Sequence, residues 1–194
     1  TEWLIRTLNQ LGQAHKAVTL AKNLIEIPRH PEHNNIDKSG KSAGFGRTRL
    51  LETLLKFELW EDMLALDGSP WLDVTRNPSF EAARLRALGI ASFFQNDGAA
   101  LDRHLAAVSK LSRKPPPTAK PDAKETDKPA DKPAGKPAEI STASTKKKGP
   151  AGNTNAIVDH ALAELRALRA ILDSKFDEAA KQLDLARDTP KDRQ

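Results

Sequence analysis

Apolar residues recur at three- and four-residue spacing along most of this chain, and no alternating β-branched run marks a strand. The pattern predicts an all-α protein with helices over 2–11, 13–27, 45–57, 60–66, 79–95, 98–112, 156–173 and 176–186. Stops and starts support these bounds. Asn77 before Pro78 reads as an N-cap followed by proline at the first helical position, and Asn155 is placed to cap the seventh helix. Gly12, 96–98 and 173–175 supply connections so short that consecutive helices must run antiparallel. The helices therefore group into four hairpins, with longer gaps at 28–44, 67–77 and after 112.

The last gap is a change of composition. From Arg113 to Pro150 the chain holds eight of its 13 prolines and a single large aliphatic residue, Ile140. Such a stretch buries too little apolar surface to offset its ordering entropy, so 113–154 is expected to be a disordered linker rich in Pro, Ala and Lys. Three parts follow: hairpins over 1–112, the linker, and a fourth hairpin over 155–194. A flexible chain of about 38 residues spans about 34 Å, enough for the last hairpin to dock on the third.

The linker also accounts for the charge. Ten of the 31 Lys and Arg residues and five of the 26 acids lie in it, which leaves 21 of each sign elsewhere, so the whole net charge of +5 is linker charge. A basic face that reads nucleic acid is therefore not indicated, and specific nucleic-acid binding is not expected. The run Lys146 to Lys148 offers weak attraction to anionic surfaces. Hydrophobic residues are only 38% of the chain. No run approaches the length of a membrane span. With no cysteine, thiol catalysis, disulfides and thiolate metal sites are excluded within these 194 residues. A chain opening on Thr1, already inside an amphipathic pattern, reads as part of a longer polypeptide.

The hairpins repeat one another. At an offset of 80, Leu85, Arg86, Ala87 and Leu88 align with Leu165, Arg166, Ala167 and Leu168, and Asp97, Ala99 and Ala100 align with Asp177, Ala179 and Ala180. A leucine–glycine turn leading into a helix with small residues on one side and proline beyond its end occurs as Leu11, Gly12, Ala14, Ala17, Leu24 and Pro28. It recurs as Leu88, Gly89, Leu101, Leu105, Val108 and Pro115, and Ala167, Phe176, Ala179, Leu183, Ala186 and Pro190 match in the fourth pair. In this the chain resembles the tetratricopeptide repeat (TPR) family. Met63 stands where the second pair should have its small residue. The resemblance implies stacked hairpins in an α-α superhelix, with Ala17, Ala99 and Ala179 allowing close helix approach. The segments GRTRLLETLLKFELWEDMLALDGSPWLD and RLRALGIASFF also resemble the helical-repeat region that accompanies thioredoxin-like domains in planctomycete-type bacterial proteins. That resemblance implies an accessory role beside a thioredoxin-like oxidoreductase domain on the same polypeptide.

Motifs that carry chemistry are weak. SGKSAGFG, from Ser39 to Gly46, lacks the first glycine of a phosphate loop because Asn35 stands there, so it reads as a loop ending before Phe45. His30 and His33 make an H-x-x-H pair without a third ligand, a poor zinc site. Glu58, Glu61 and Asp62 read as surface carboxylates. No catalytic, cofactor or metal residues are assigned. Trp60, Trp71, Phe80, Phe93 and Phe94 are expected mostly in the core, with Trp71 covering the second hairpin. Arg47, Arg49, Arg84, Arg86, Arg166 and Arg169 recur on the first helices of successive hairpins. Those helices would line the concave face of a stack, so Arg47, Arg49, Arg84, Arg86 and Arg166 form a candidate partner-binding groove that pairs with peptide carboxylates. By the TPR resemblance Arg86 stands where a peptide's terminal carboxylate is clamped, although Ile90 replaces the asparagine expected a turn later. Pairing with the chain's own acids competes with that role. The expected function is a non-catalytic protein–protein interaction scaffold for a protein or peptide partner, with no cofactor. The alternatives are the thioredoxin-associated accessory role and attachment to anionic surfaces through the linker.

Overall fold

The computed structural model describes residues 1–30, 32–38, 40–112 and 154–188. It contains eight helices and no strand among those residues: α1 (Glu2–Gln10), α2 (Ala14–Glu26), α3 (Ser42–Lys56), α4 (Trp60–Ala65), α5 (Pro78–Phe94), α6 (Gly98–Ser112), α7 (Thr154–Leu172) and α8 (Phe176–Asp188). The protein is all-α. The linker expected over 113–154 lies outside the described residues up to 153, as do Pro31, Ser39 and Pro190.

Four turns join the helices in pairs, and all four share one hydrogen-bond pattern. A residue in the left-handed region follows the first helix: Gly12 (φ 71°), Glu58 (φ 54°), Asn96 (φ 56°) and Ser174 (φ 61°). The next N–H donates to the carbonyl five residues back, as Gln13 to Leu8, Leu59 to Leu54, Asp97 to Ser92 and Lys175 to Ala170, at 2.8–3.0 Å. This is a Schellman cap, which satisfies carbonyls that the end of the helix leaves unpaired. Only one of the four left-handed residues is glycine, so the turn is recognisable from its backbone and not from its sequence.

The shared turn sets the internal register. The fifth residue after the left-handed position is Ala17, Met63, Leu101 or Ala179, and the seventh before it is Ile5, Leu51, Gly89 or Ala167; all eight are buried. Asn96 corresponds to Ser174, an offset of 78 and not 80. The residue matching Ala17 and Ala179 is thus Leu101, while Ala99 is exposed on α6 and not at a close helix approach. The two leucine–glycine pairs are not equivalent either. Gly12 forms a turn, whereas Gly89 lies inside α5, where an added Cβ would stand 2.5 Å from Leu165 Cδ2. Glycine at that position gives the side chain from α7 its space.

Each helix packs only on its own hairpin and the next. α1 meets α2 and α3; α2 also meets α3; α3 meets α4 and α5; α4 meets α5; α5 meets α6 and α7; α6 meets α7; and α7 meets α8. The third and fourth hairpins are therefore in contact through α7. The apolar interior forms two clusters. One joins Ile5, Ala17, Ala21, Leu50, Leu54 and Met63 with Ala87, Leu88 and Ala91 of α5, and the other joins Ala82, Leu85 and Ile90 of α5 with Leu101, Val108, Val158 and Leu165. α5 belongs to both, which is why its sequence is apolar nearly all round.

Three local expectations are corrected. α3 starts at Ser42, before the expected 45, so Ala43, Gly44 and Gly46 are helical; a Cβ at Gly46 would meet Ile25 Cγ1 at 2.7 Å and the Ala21 carbonyl at 2.9 Å. α7 starts at Thr154, so Asn155 lies within it. Phe94 is 55% exposed, stacked face to face on Trp60 at 4.7 Å, whereas Trp60, Trp71 and Phe93 pack against the apolar clusters as expected. By contrast, Asn77 caps α5 as the sequence indicates, accepting from the N–H groups of Ser79 and Phe80 at 3.0 and 3.3 Å.

The two long loops tie together through Asp37. Its Oδ1 accepts from Thr75 Oγ1 at 2.5 Å and from the Arg76 N–H at 2.7 Å, and its carbonyl accepts from Asn77 Nδ2 at 3.1 Å. The hydrogen bond from Thr75, with further help from the Arg76 and Asn77 backbone and the Arg76 charge, holds the Asp37 carboxyl below its ordinary 3.8.

Two outcomes follow for stability. Gly46→Ala should cost about 1–3 kcal/mol in chemical denaturation, because the added methyl meets backbone, while Gly89→Ala should cost less because only the end of the Leu165 side chain must turn aside. Asp37 contributes stability that is present above its unfolded pKa near 3.8 and is lost as pH falls through its lower folded value. The stability gap between wild type and Asp37→Asn should therefore be widest near neutral pH and close below pH 3.8.

Candidate functional site

Two adjoining cavities lie between the first helices of the hairpins, their surfaces mostly apolar with charged side chains interspersed. One cavity of ≈ 540 Å³ lies between α1 and α3, lined by Arg6, Asn9, Arg49, Glu52, Leu55 and Lys56. A second, of ≈ 240 Å³, lies between α3, α5 and α7, and its lining includes Arg47, Thr48, Glu52, Ser79, Arg86 and Ile157. Glu52 and Leu55 line both, so the cavities adjoin.

The wall between α1 and α3 is fixed by buried polar contacts. Asn9 Nδ2 donates to Thr53 Oγ1 at 3.0 Å, and that hydroxyl donates back to the Arg49 carbonyl at 2.8 Å, so neither side chain is left unsatisfied. Arg49 reaches Glu2 at 2.5 Å and Glu52 at 2.5 Å. Burial opposes its charge, but its hydrogen bonds to both carboxylates outweigh that and raise its pKa above the ordinary value. Lys56 Nζ donates to the Asn9 carbonyl at 2.8 Å.

The candidate arginines divide by location. Arg47 and Arg86 share the second cavity, and Arg49 lines the first. Arg86 donates from Nε and Nη2 to the two oxygens of Glu164, which occupies the same place in the fourth hairpin, counted from its turn, as Arg86 does in the third. Arg84 is on the other side of α5. Its side chain is buried with that of Glu81, to which it donates from Nε and Nη2, and it also reaches Asp67 at 2.6 Å. Arg166 is exposed and lines the cleft between α7 and α8 with Asp159 and Gln182. Arg169 bridges Asp102 of α6 at 2.8 Å and Asp173 at 2.5 Å. The fold thus lines the two cavities with Arg47, Arg49 and Arg86; Arg84 lines neither, although its charge acts on Arg47, and Arg166 and Arg169 lie elsewhere.

Sequence reasoning did not find Arg6 and Lys56, which add positive charge to the groove, or Glu2, Glu52 and Glu164, which hold its arginines. Charge at these positions is visible along the chain, but only stacking puts them face to face. The remaining motifs resolve into local structure. His30 Nδ1 accepts from the N–H groups of Glu32 and His33 at 3.2 Å each, so this imidazole organises its own loop. No group of three His, Cys, Asp or Glu side chains suits a metal ion among the described residues. Trp71 covers α2, its Nε1 donating to Glu26 at 3.0 Å with Lys22 Nζ 4.6 Å above the ring. No described helix is long and apolar enough to cross a membrane. Comparison with family models, curated proteins and solved structures finds no match to this chain.

The contrast between arginines is measurable. Removing Arg84 leaves the Glu81 carboxylate buried without its main partner, so Arg84→Ala should lose about 3–5 kcal/mol in urea denaturation. Arg166→Ala, on an exposed site, should change stability by no more than about 0.5 kcal/mol.

Proposed function

We propose that this chain is a non-catalytic protein–protein interaction scaffold of TPR-like hairpins, stacked in sequence order, that holds an acidic peptide segment in the groove along its first helices. The observation that carries the reading is the groove itself. Its walls come from α1, α3, α5 and α7, the first helix of every hairpin, as the concave face of a stacked repeat requires. Strictly neighbour-to-neighbour packing and the common turn support the same arrangement.

Charge selects the class of partner. Arg6, Arg47, Arg49, Lys56 and Arg86 in the groove outnumber Glu52 and the flanking Glu2 and Glu164 that pair with them. A surplus of guanidinium groups on rigid helices favours carboxylates, which match their planar donor pairs.

Affinity capture from a lysate of the source cells tests this reading. A Lys56→Glu, Arg86→Glu variant should lose a discrete protein that the wild type retains, and Lys110→Glu on the outer surface of α6 should keep it. Equal capture by all three forms, each with unchanged helical circular dichroism, would remove the groove from consideration.

A further inference from the structure

Arg47 is 3% exposed, and among the described residues none of its three guanidinium nitrogens has a hydrogen-bond partner. The arginines around it are satisfied, Arg49 by Glu2 and Glu52, Arg84 by Glu81 and Asp67, and Arg86 by Glu164. Glu81 exerts the strongest attraction on Arg47, yet its oxygens already accept from Arg84 and from the Thr75 N–H at 3.0 Å. Asp73, the other carboxylate that attracts Arg47, is paired with Arg29 at 3.1 Å, so among the described residues Arg47 is the cation of this cluster left without a direct partner. Burial pushes its pKa down to about 10, which still leaves it charged at neutral pH.

An ionised guanidinium taken out of water without a partner is costly, and an apolar side chain of the same size would be the more stable occupant. Such a group in a native fold calls for a function that uses it. Arg47 lines the ≈ 240 Å³ cavity, whose other cation, Arg86, is tied to Glu164 and whose one carboxylate, Glu52, is tied to Arg49. The cavity is thus lined by Arg47, whose buried guanidinium lies behind the wall without a partner, and among its described lining residues it holds no free anion. We infer that Arg47 is the carboxylate-binding residue of the groove, turning its guanidinium into this cavity to form a two-pronged pair with an acidic side chain of the bound peptide. The site rests on the groove proposed above and adds its anchor. It also gives the unliganded protein a built-in instability that the ligand relieves.

The test uses the full chain as wild type, Arg47→Met, Arg47→Lys and Arg86→Glu, with hexaglutamate and hexaglutamine as probes at fixed ionic strength. Thermal melting and the anisotropy of a labelled hexaglutamate are the readouts. Without peptide, Arg47→Met should melt at or above the wild-type temperature. Saturating hexaglutamate should raise the wild-type melting temperature by about 3 °C or more, and hexaglutamine should not. Arg47→Met should bind hexaglutamate at least about tenfold more weakly, with Arg47→Lys between. A clear loss of stability in Arg47→Met without peptide would show that the guanidinium is satisfied within the fold and would overturn the inference. Unchanged binding in Arg47→Met with binding lost in Arg86→Glu would overturn it while leaving the groove in place. Binding unchanged in both would remove the groove as well, and a melting shift from inorganic phosphate but not from hexaglutamate would overturn the carboxylate assignment.

Discussion

No hairpin of this protein can cover its own apolar surface, and the structure depends on that deficit being met by the next hairpin. α5 shows the constraint in its strongest form. Ala87, Leu88 and Ala91 complete the cluster built by α1 to α4, while Ala82, Leu85 and Ile90 close the one built with α6 and α7. A helix buried on both sides leaves little room for polar residues, and those that remain must be paired, as Arg84 and Glu81 are. Stability then belongs to interfaces between neighbours and not to a single centre.

Close packing at these interfaces places glycine and alanine where larger residues would collide. Gly46 lets α3 lie against the backbone of α2, and Gly89 receives Leu165. The same closeness brings the first helices side by side and sets their polar residues opposite one another. Glu2 meets Arg49, and Arg86 meets Glu164, because adjacent hairpins carry these residues at the same or neighbouring heights above a common turn. The two cavities lie where the first helices meet, and the Arg49–Glu2 and Arg86–Glu164 pairs link α1 with α3 and α5 with α7. Arg47 stands apart among the basic residues that line the cavities because its guanidinium is buried with no hydrogen-bond partner among the described residues.

Much of the fold was legible along the chain. Helical spacing of apolar residues placed all eight helices to within a few residues, and the Asn77–Pro78 cap located the start of α5. What failed did so for identifiable reasons. The start of α3 was hidden because Gly44 and Gly46 resemble a loop in sequence, and only the fold sets the backbone of α2 against Gly46. The register between the last two hairpins slipped by two residues because three of the four turns use Glu58, Asn96 and Ser174, not glycine, in the left-handed position. Ala99 was consequently assigned to an interface that Leu101 occupies.

The candidate arginines divide along the same line. The residue type and the recurrence on first helices were visible in the sequence, and so was the supply of acids able to neutralise them. The pairs within one helix, Arg49 with Glu52 and Arg84 with Glu81, are local, but Arg49 with Glu2 and Arg86 with Glu164 join residues 47 and 78 positions apart, and no local pattern encodes those. The sequence by itself determined the class of fold, the hairpin pairing and the absence of thiol chemistry, because periodicity, turn length and composition are local properties. Tertiary structure alone decided which arginines share a groove, which are held by carboxylates, and that Arg47 is buried without one, because burial and pairing exist only once the hairpins pack.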